Sequence, residues 1–351
     1  MKNSTREARS IGKRRKIDLS VKIPGNWKEF LSVDENKTEF FSLISEHLLE
    51  TLEIPNGKQF FATKRNLCVS TDRSFDLNTL SPCSHQESQT RMFVHVRGSL
   101  GHSKILILSS NCDVIVLGVR AFALSTSLEE LWVGYSSGKK FSYIAIHDVV
   151  SCMDRNIALA LPGFHAFTGY DTTSSFIGKG KKTAYTTWAG KSIYTNAFLE
   201  LSQCNPGKEV VDRVFRILQQ FVCELYGEVA DDVNAVRLDM LVHKGKDFEN
   251  MPPTSDALYL HTLRCTHISG NIWSFINQPM YVEKEPTDWG YKRLGVKGVP
   301  VPIYTTKPVI SRKLTDLDMC GCESGRCKGN CKCTKVPQPC TLLCKCKGKC
   351  K

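Results

Sequence analysis

The sequence predicts an α/β core, a helical extension and a small C-terminal module that is held together by metal ions. Short apolar segments between helical patterns predict the core. A long amphipathic pattern that begins near residue 206 predicts the extension. Nine of the sixteen cysteines lie between Cys320 and Cys350, among residues too small and polar to bury a hydrophobic core, and they predict the module.

Charge is concentrated at the two ends of the chain. Of the net charge of +12, residues 1–22 contribute +6 and residues 320–351 a formal +7, so the body between them is nearly neutral. This distribution is typical of a folded core with basic ends. We therefore predict a basic disordered arm, a core, a helical extension, an irregular linker and a cysteine module, at 1–22, 23–200, 201–278, 279–319 and 320–351.

The N-terminal arm carries the basic run Lys13-Arg14-Arg15-Lys16. Such a run serves as a nuclear import signal or a phosphate contact, or it is simply a solvated terminus. We expect a nuclear rather than a cytoplasmic location. The chain contains no apolar run of 18 residues, so we expect no membrane-spanning helix and no membrane partner.

Periodicity places the regular elements. We predict helices over 38–53, 87–100, 206–227 and 231–243 and from residue 255 onward. We predict strands over 58–62, 104–109, 114–119, 131–135 and 141–146, the last two joined by a hairpin turn. Strands without polar alternation predict a sheet that is covered on both faces.

Three acidic residues stand where an open α/β sheet places its chemistry. Glu87 opens a predicted helix, Asp113 lies at a predicted strand boundary, and Asp171 follows Gly169-Tyr170. Carboxylates are the ligands that Mg²⁺ and Mn²⁺ prefer, and phosphodiester cleavage by such ions requires several of them. A surface or helix-capping role for the three acids stays open.

Residues 85–190 resemble the internal part of PIN-like flap nucleases in the order of these acidic segments and of the turn 178–182. The string 165–172, the string 178–184 and the cysteine tail are together similar to a group of animal proteins linked to mobile elements. The resemblance implies a PIN-like, mostly parallel sheet with helices on both faces. It also implies that Glu87, Asp113 and Asp171 are remnants of a catalytic site, because the family's further acids are replaced by Gln89 and Asn111.

The turn of Gly178, Lys179, Gly180, Lys181 and Lys182 is a candidate phosphate contact. Backbone N–H groups of a glycine-rich turn that opens a helix can bind phosphate, and three lysines add charge. The resemblance implies that this turn belongs to a helix-hairpin-helix motif. An ordinary helix-start loop with solvated lysines is the alternative.

The cysteine tail has the spacing expected of a metal cluster. Zinc takes four thiolates, and nine thiolates satisfy three zinc ions if three of them bridge two ions each. Disulfides would leave one thiol over and require an oxidising compartment, so we favour zinc over disulfides or a disordered tail. The predicted ligands are Cys320, Cys322, Cys327, Cys331, Cys333, Cys340, Cys344, Cys346 and Cys350.

The same nine cysteines resemble the CXC, or tesmin/TSO1-like, domain, whose members hold three zinc ions and in several cases bind DNA. Where that family often has Tyr before its second Cys-x-Cys pair, this chain has Asn330. Eight basic residues and one acid leave the zinc-loaded tail with a charge of about +4. The predicted contacts to nucleic acid in the tail are Arg326, Lys328, Lys332 and Lys335.

Together these patterns predict a zinc protein that binds nucleic acid, DNA rather than RNA, with a depleted nuclease site. Two other functions stay open at this point: an active nuclease dependent on Mg²⁺ or Mn²⁺, and a zinc-stabilised module for binding proteins. The sequence does not specify an oligomeric state.

Overall fold

The computed structural model describes residues 12–22, 24–99, 101–137, 140–242, 250–295, 298–307, 320–322, 331–335, 340 and 344–346. The fold is mixed α/β with small sheets. It divides into two units, of which the first contains Met1–Pro162, Ser202–Pro206 and His267–Pro302. The second contains Gly163–Leu201, Gly207–Thr266 and Ile303–Lys351. The boundary after Pro162 lies inside the core that was predicted as one domain at 23–200.

The first unit begins with two helices, α1 (Trp27–Leu31) and α2 (Asp34–Thr51). The fully buried Asn36 accepts a hydrogen bond from the Arg15 amide at 2.7 Å and donates one to the Lys13 carbonyl at 2.8 Å. Arg14 forms an ion pair with Glu39. These contacts fix the basic run against α2, so the expected disorder does not hold for residues 12–22.

A β-hairpin and a helix follow. Strands β1 (Phe61–Lys64) and β2 (Leu67–Ser70) pair antiparallel, and α3 spans Ser88–Gly98. The first strand was predicted at 58–62, three residues too early. Cys68 of the hairpin packs with Leu80, Cys83 and Val94 in a small apolar cluster.

The larger sheet of the first unit has three strands in the order β3 (Lys104–Ser109), β4 (Glu130–Ser137) and β5 (Lys140–Ala145). Strands β3 and β4 are parallel, and β4 and β5 form an antiparallel hairpin. All three strands were predicted. The sheet is mixed, however, and the PIN-like, mostly parallel sheet is not found among the described residues.

The strand predicted at 114–119 is wrong, because this segment is helical. Helix α4 spans Asp113–Leu124 and buries Val114, Leu117 and Ala121 at helical spacing. A short apolar run is compatible with a strand or with a buried helix, and packing decides between them. Gly118 lies against Ile146 and Leu131, where an added methyl group would make ordinary van der Waals contacts.

Seven further helices follow between residues 146 and 271 of the described chain. Helix α5 spans Ile146–Ser151, and α6 spans Arg155–Phe167 with Pro162 inside it. Helices α7 (Lys181–Trp188), α8 (Ser192–Leu201), α9 (Lys208–Leu225), α10 (Val233–Val242) and α11 (Ser255–Asn271) follow. The helices predicted at 206–227, at 231–243 and from 255 are thus confirmed within a few residues.

Aromatic side chains fill the core of the second unit. Phe164 stacks on Trp188 with a ring separation of 4.7 Å, and Phe198 meets Phe221 edge to face at 5.3 Å. Trp188 also donates a hydrogen bond to the Thr195 hydroxyl at 2.9 Å, which satisfies its buried indole N–H. These contacts join α6, α7, α8 and α9.

The segment predicted as an irregular linker at 279–319 contains regular structure. Strands β6 (Tyr291–Leu294) and β7 (Val299–Pro302) form an antiparallel hairpin after a short 3₁₀ helix at Pro286–Trp289. Proline residues misled the prediction, because proline is tolerated in edge strands. In the tail, a short helix, α12, spans Lys332–Lys335.

Candidate functional site

Seven of the nine tail cysteines lie in the part of the chain that the structure describes, and their sulfur atoms gather in one cluster. Its centre is buried, and Cys322 and Cys340 pack against it at its edge. Cys327 and Cys350 lie outside the described residues. The buried members are Cys320, Cys331, Cys333, Cys344 and Cys346.

The cysteines form two overlapping groups of four. The sulfur atoms of Cys320, Cys331, Cys333 and Cys340 lie within 4.8 Å of one another, and so do those of Cys320, Cys340, Cys344 and Cys346. Cys320 and Cys340 therefore belong to both groups. Each group supplies the four ligands of a tetrahedral metal ion, and shared members are what a cluster with bridging thiolates requires.

Sulfur–sulfur distances distinguish this arrangement from disulfides. Cys320 Sγ lies 3.6 Å from Cys340 Sγ within both groups, and Cys333 Sγ of the first group lies 3.5 Å from Cys344 Sγ of the second. A disulfide requires about 2.05 Å. Two thiolates on one tetrahedral zinc ion, at about 2.3 Å each, lie about 3.8 Å apart, which is close to the Cys320–Cys340 separation. None of these seven cysteines forms a disulfide. The cluster can therefore hold a metal. A bound metal, rather than apolar packing, would stabilise this core of thiols.

A second candidate site is the carboxylate pair of the first unit. Glu87 precedes α3 and Asp113 begins α4, two helices that pack together. Both side chains are buried, with exposed fractions of 7% and 5%. Two of the three predicted acids therefore lie close together. Asp171 is an exposed residue of the second unit.

The amide of Gln89 occupies the space between the two carboxylates. Its Nε2 atom donates to Glu87 Oε2 at 2.7 Å and lies 3.5 Å from Asp113 Oδ2. Its Oε1 atom accepts a hydrogen bond from Asn111 at 3.3 Å, and Asn111 Oδ1 in turn accepts from the Asp113 amide. An N–H donor thus contacts the oxygen atoms that a divalent cation would bind.

Among the described residues, only cysteines have the geometry of metal ligands. A search of these residues for three or more Cys, His, Asp or Glu ligand atoms close enough to bind one ion finds the two cysteine groups. That Gln89 and Asn111 replace acids of a nuclease site stays a prediction. The sequence did not reveal that the Gln89 nitrogen stands beside both acids, since only the packing of α3 on α4 brings residues 24 positions apart into contact.

The predicted phosphate turn lies between α6 and α7. Gly178 has a left-handed backbone with φ of +66°. Gly180 is the N-cap residue of α7 and has no side chain that could accept a hydrogen bond. The first N–H groups of α7 are therefore not capped by the side chain of residue 180. Earlier in the connection, Gly169 has φ of +114°, and a Cβ atom there would lie 2.9 Å from the Ser175 Cβ atom.

The three lysines of the turn have different roles. Lys181 donates to the carbonyl groups of His165 and Gly169 at 2.8 and 2.7 Å and to the Thr168 hydroxyl at 3.0 Å. It therefore caps the C-terminal end of α6, where carbonyl groups lack helical partners. Lys179 lies over the Tyr226 ring at 5.1 Å, and Lys182 is exposed.

A buried cysteine–histidine contact in α11 does not have the properties of a catalytic pair. Cys265 Sγ lies 3.4 Å from His261 Nε2, but that nitrogen also lies 2.8 Å from the Phe167 carbonyl. Burial raises the pKa of the Cys265 thiol far above its usual range and lowers the pKa of His261 to about 4. A neutral thiol beside a neutral imidazole is not an activated nucleophile.

In the tail, the described residues include only part of the predicted basic contacts. Lys335 is exposed at the end of α12, and Lys332 begins that helix. Arg326 and Lys328 lie outside the described residues.

Searches against protein-family models, curated proteins and solved structures find no match to this chain. No helix among the described residues is long and apolar enough to cross a membrane.

Proposed function

We propose that this chain is a zinc-dependent nucleic-acid-binding protein whose tail cysteines hold three zinc ions. The observation that carries the proposal is the pair of cysteine groups that share Cys320 and Cys340. Zinc is favoured over harder cations because thiolates are soft ligands, and the absence of disulfides among the described cysteines agrees with a reducing compartment.

Nucleic acid is the partner that the charge favours. The tail carries eight basic residues in its sequence, and the second unit adds Lys179 and Lys182 near the start of α7, where Gly180 provides no side-chain cap. Both features belong to the second unit. DNA is proposed over RNA from the resemblance of the tail to DNA-binding CXC domains, and a nuclear location follows from that partner.

The carboxylate site is proposed to be inactive. Glu87 and Asp113 hold an amide nitrogen where a hard cation would need oxygen ligands, and Mg²⁺ or Mn²⁺ would have to displace that hydrogen bond. Gln89 and Asn111 are also neutral, so they do not supply the negative charge that attracts such an ion. In this proposal the protein derives from a nuclease and retains its helices without its chemistry.

Fluorescence anisotropy with matched DNA and RNA duplexes and single strands tests this function. We expect zinc-dependent binding whose affinity falls steeply as salt rises from 50 to 200 mM, with a smaller loss for variants that lack a phosphate contact. Cys340→Ser should weaken binding strongly, and Cys152→Ser, an exposed cysteine outside the cluster, should not. Binding that is independent of both zinc and salt would refute the proposal, and Mg²⁺-dependent cleavage would refute the inactive site.

A further inference from the structure

The basic arm of residues 12–22 is docked on the helical pair α1–α2, and one buried side chain holds its backbone. Asn36 of α2 is fully buried. Its Oδ1 atom accepts a hydrogen bond from the Arg15 amide at 2.7 Å. Its Nδ2 atom donates to the carbonyl groups of Lys13 and Phe30 at 2.8 and 3.2 Å. Two of these three hydrogen bonds exist only while the arm is docked.

Gly12 shows how closely the arm approaches the helices. A Cβ atom at this position would lie 2.3 Å from the Glu29 carbonyl oxygen and 3.0 Å from Val33 Cγ2. The carbonyl oxygen belongs to the backbone of α1 and cannot move aside cheaply, so the approach requires a residue without a side chain. The arm therefore meets the helical pair at a position whose residues are suited to the contact.

The charges of the arm and of the helical pair are complementary. Residues 12–22 carry five basic side chains and one acid, which is a net charge of +4. Residues 27–51, which contain α1 and α2, carry two basic side chains and six acids, which is a net charge of −4. Arg14 forms an ion pair with Glu39 of α2. The helical pair thus supplies the arm with the negative charge that a bound polyanion would supply.

The second half of the arm is held loosely. Leu19 and Val21 are 73% and 39% exposed. Together with Ile17 they border an apolar cavity of about 250 Å³ instead of filling it. Side chains that leave such a space unfilled lose the close contacts that stabilise a packed core. The docking of the arm therefore depends mainly on the Asn36 hydrogen bonds and on charge.

We propose that α1–α2 competes with the phosphates of a nucleic acid for the basic arm. This inference rests on the proposed function, because it takes nucleic acid as the polyanion. In the docked arm, Lys13, Arg15 and Lys16 are exposed, but they lie on a helical pair of net negative charge, which repels phosphates. Release separates the basic run from these acids and allows it to contact phosphates. Docking then lowers the apparent affinity in proportion to the fraction of arms that are free.

Limited proteolysis of the full chain, without nucleic acid, measures the release of the arm. Trypsin cuts at residues 13–16 are compared by mass spectrometry with the cut after Arg73, an exposed residue beyond β2. Asn36→Ala should speed cleavage at 13–16 about tenfold, because it removes two hydrogen bonds that hold the arm. Glu39→Gln should speed it about twofold to threefold. Asn56→Ala, at an exposed turn residue, is the matched control and should change nothing.

Anisotropy titrations with a DNA duplex measure the effect on binding. Asn36→Ala should bind DNA about tenfold more tightly than wild type, with a steeper slope of log affinity against log salt. Replacing Lys13, Arg15 and Lys16 by Gln should abolish this gain in the Asn36→Ala protein and have a smaller effect in wild type. Circular dichroism checks the fold of each variant, and Glu39→Gln tests the same competition if Asn36→Ala does not fold.

The failure of this inference is distinguishable from the failure of the proposed function. Competition is overturned if Asn36→Ala leaves cleavage at 13–16 unchanged, or if it frees the arm without tighter binding of DNA. Weaker DNA binding by Asn36→Ala also overturns it, since the docked arm would then be the phosphate contact. In each of these cases wild type still binds DNA. If neither wild type nor any variant binds DNA, the proposed function fails, and the competition fails with it.

Discussion

At the scale of single residues, Gln89 determines the chemistry of the carboxylate site. It places one N–H donor beside two buried acids, 2.7 Å from Glu87 and 3.5 Å from Asp113, where a cation would need oxygen ligands. We predict that Gln89→Glu destabilises the protein by about 3 kcal/mol at pH 7, because it buries a third negative charge without a partner. Mn²⁺ should restore part of this stability to the variant, measured by denaturant unfolding.

An exposed glutamine provides the control for that experiment. Gln59 also donates to a carboxylate, that of Asp72, but both groups are exposed. Gln59→Glu should change the free energy of unfolding by less than about 0.5 kcal/mol. Equal losses for the two variants, or no response of Gln89→Glu to Mn²⁺, would contradict the assigned role of Gln89.

Lys181 and Lys182 are adjacent in the sequence but should respond differently to substitution. Lys181→Met removes three hydrogen bonds to the end of α6 and should cost about 1.5–3 kcal/mol of stability, since charged donors make the stronger bonds. Lys182→Met should leave stability unchanged and lower the slope of log affinity against log salt by about 1. Chemical denaturation and anisotropy titrations measure the two effects. The opposite assignment would show that Lys181 is the phosphate contact.

At the scale of elements, His261 on α11 links stability to pH. Its folded pKa of about 4 is below the usual 6.5, because burial opposes the charged imidazolium. As pH falls, the His261 side chain therefore binds a proton in the unfolded chain before it does so in the folded chain. The contribution of His261 to the free energy of unfolding falls by about 1.4 kcal/mol per pH unit between about pH 6.5 and pH 4. His261→Gln should flatten this part of the stability profile relative to wild type. The exposed His47→Gln should not, and a parallel profile for both variants would refute the assignment.

The cysteine groups make a prediction about the tail as an element. Cys320 belongs to both groups of four, whereas Cys331 belongs to one. Cys320→Ser should therefore lower the zinc content by more than Cys331→Ser does, since it disturbs two ions rather than one. Zinc content after gel filtration, measured by inductively coupled plasma mass spectrometry, checks this order. Equal losses would argue against shared thiolates.

The elements also show what could be predicted from the sequence. The helical spacing of apolar residues predicted α9, and short apolar runs predicted the three strands of the larger sheet. The cysteine spacing predicted the cluster. The apolar run 114–119 was predicted as a strand because its local pattern fits both structures, and its burial against Leu131 and Ile146 decided for a helix. The role of Lys181 was missed for a similar reason. Its bonds to the end of α6 depend on the path of a 13-residue connection, which local patterns do not specify.

At the scale of the whole molecule, the chain divides into two units that each combine several separate segments, whereas the sequence predicted consecutive domains. The second unit contains α7 with its lysines and the cysteine cluster, the two features that the proposed function uses. The first unit contains the carboxylate pair.

Metal ions are proposed to hold the cysteine tail together. Native mass spectrometry of the full chain, purified without chelator, measures the bound metal, with a denaturing spectrum of the alkylated chain as the control. We expect three zinc ions per chain and nine tail cysteines that become alkylated once the metal is removed. A chain without bound metal, or one whose tail cysteines are joined in disulfides, would contradict it.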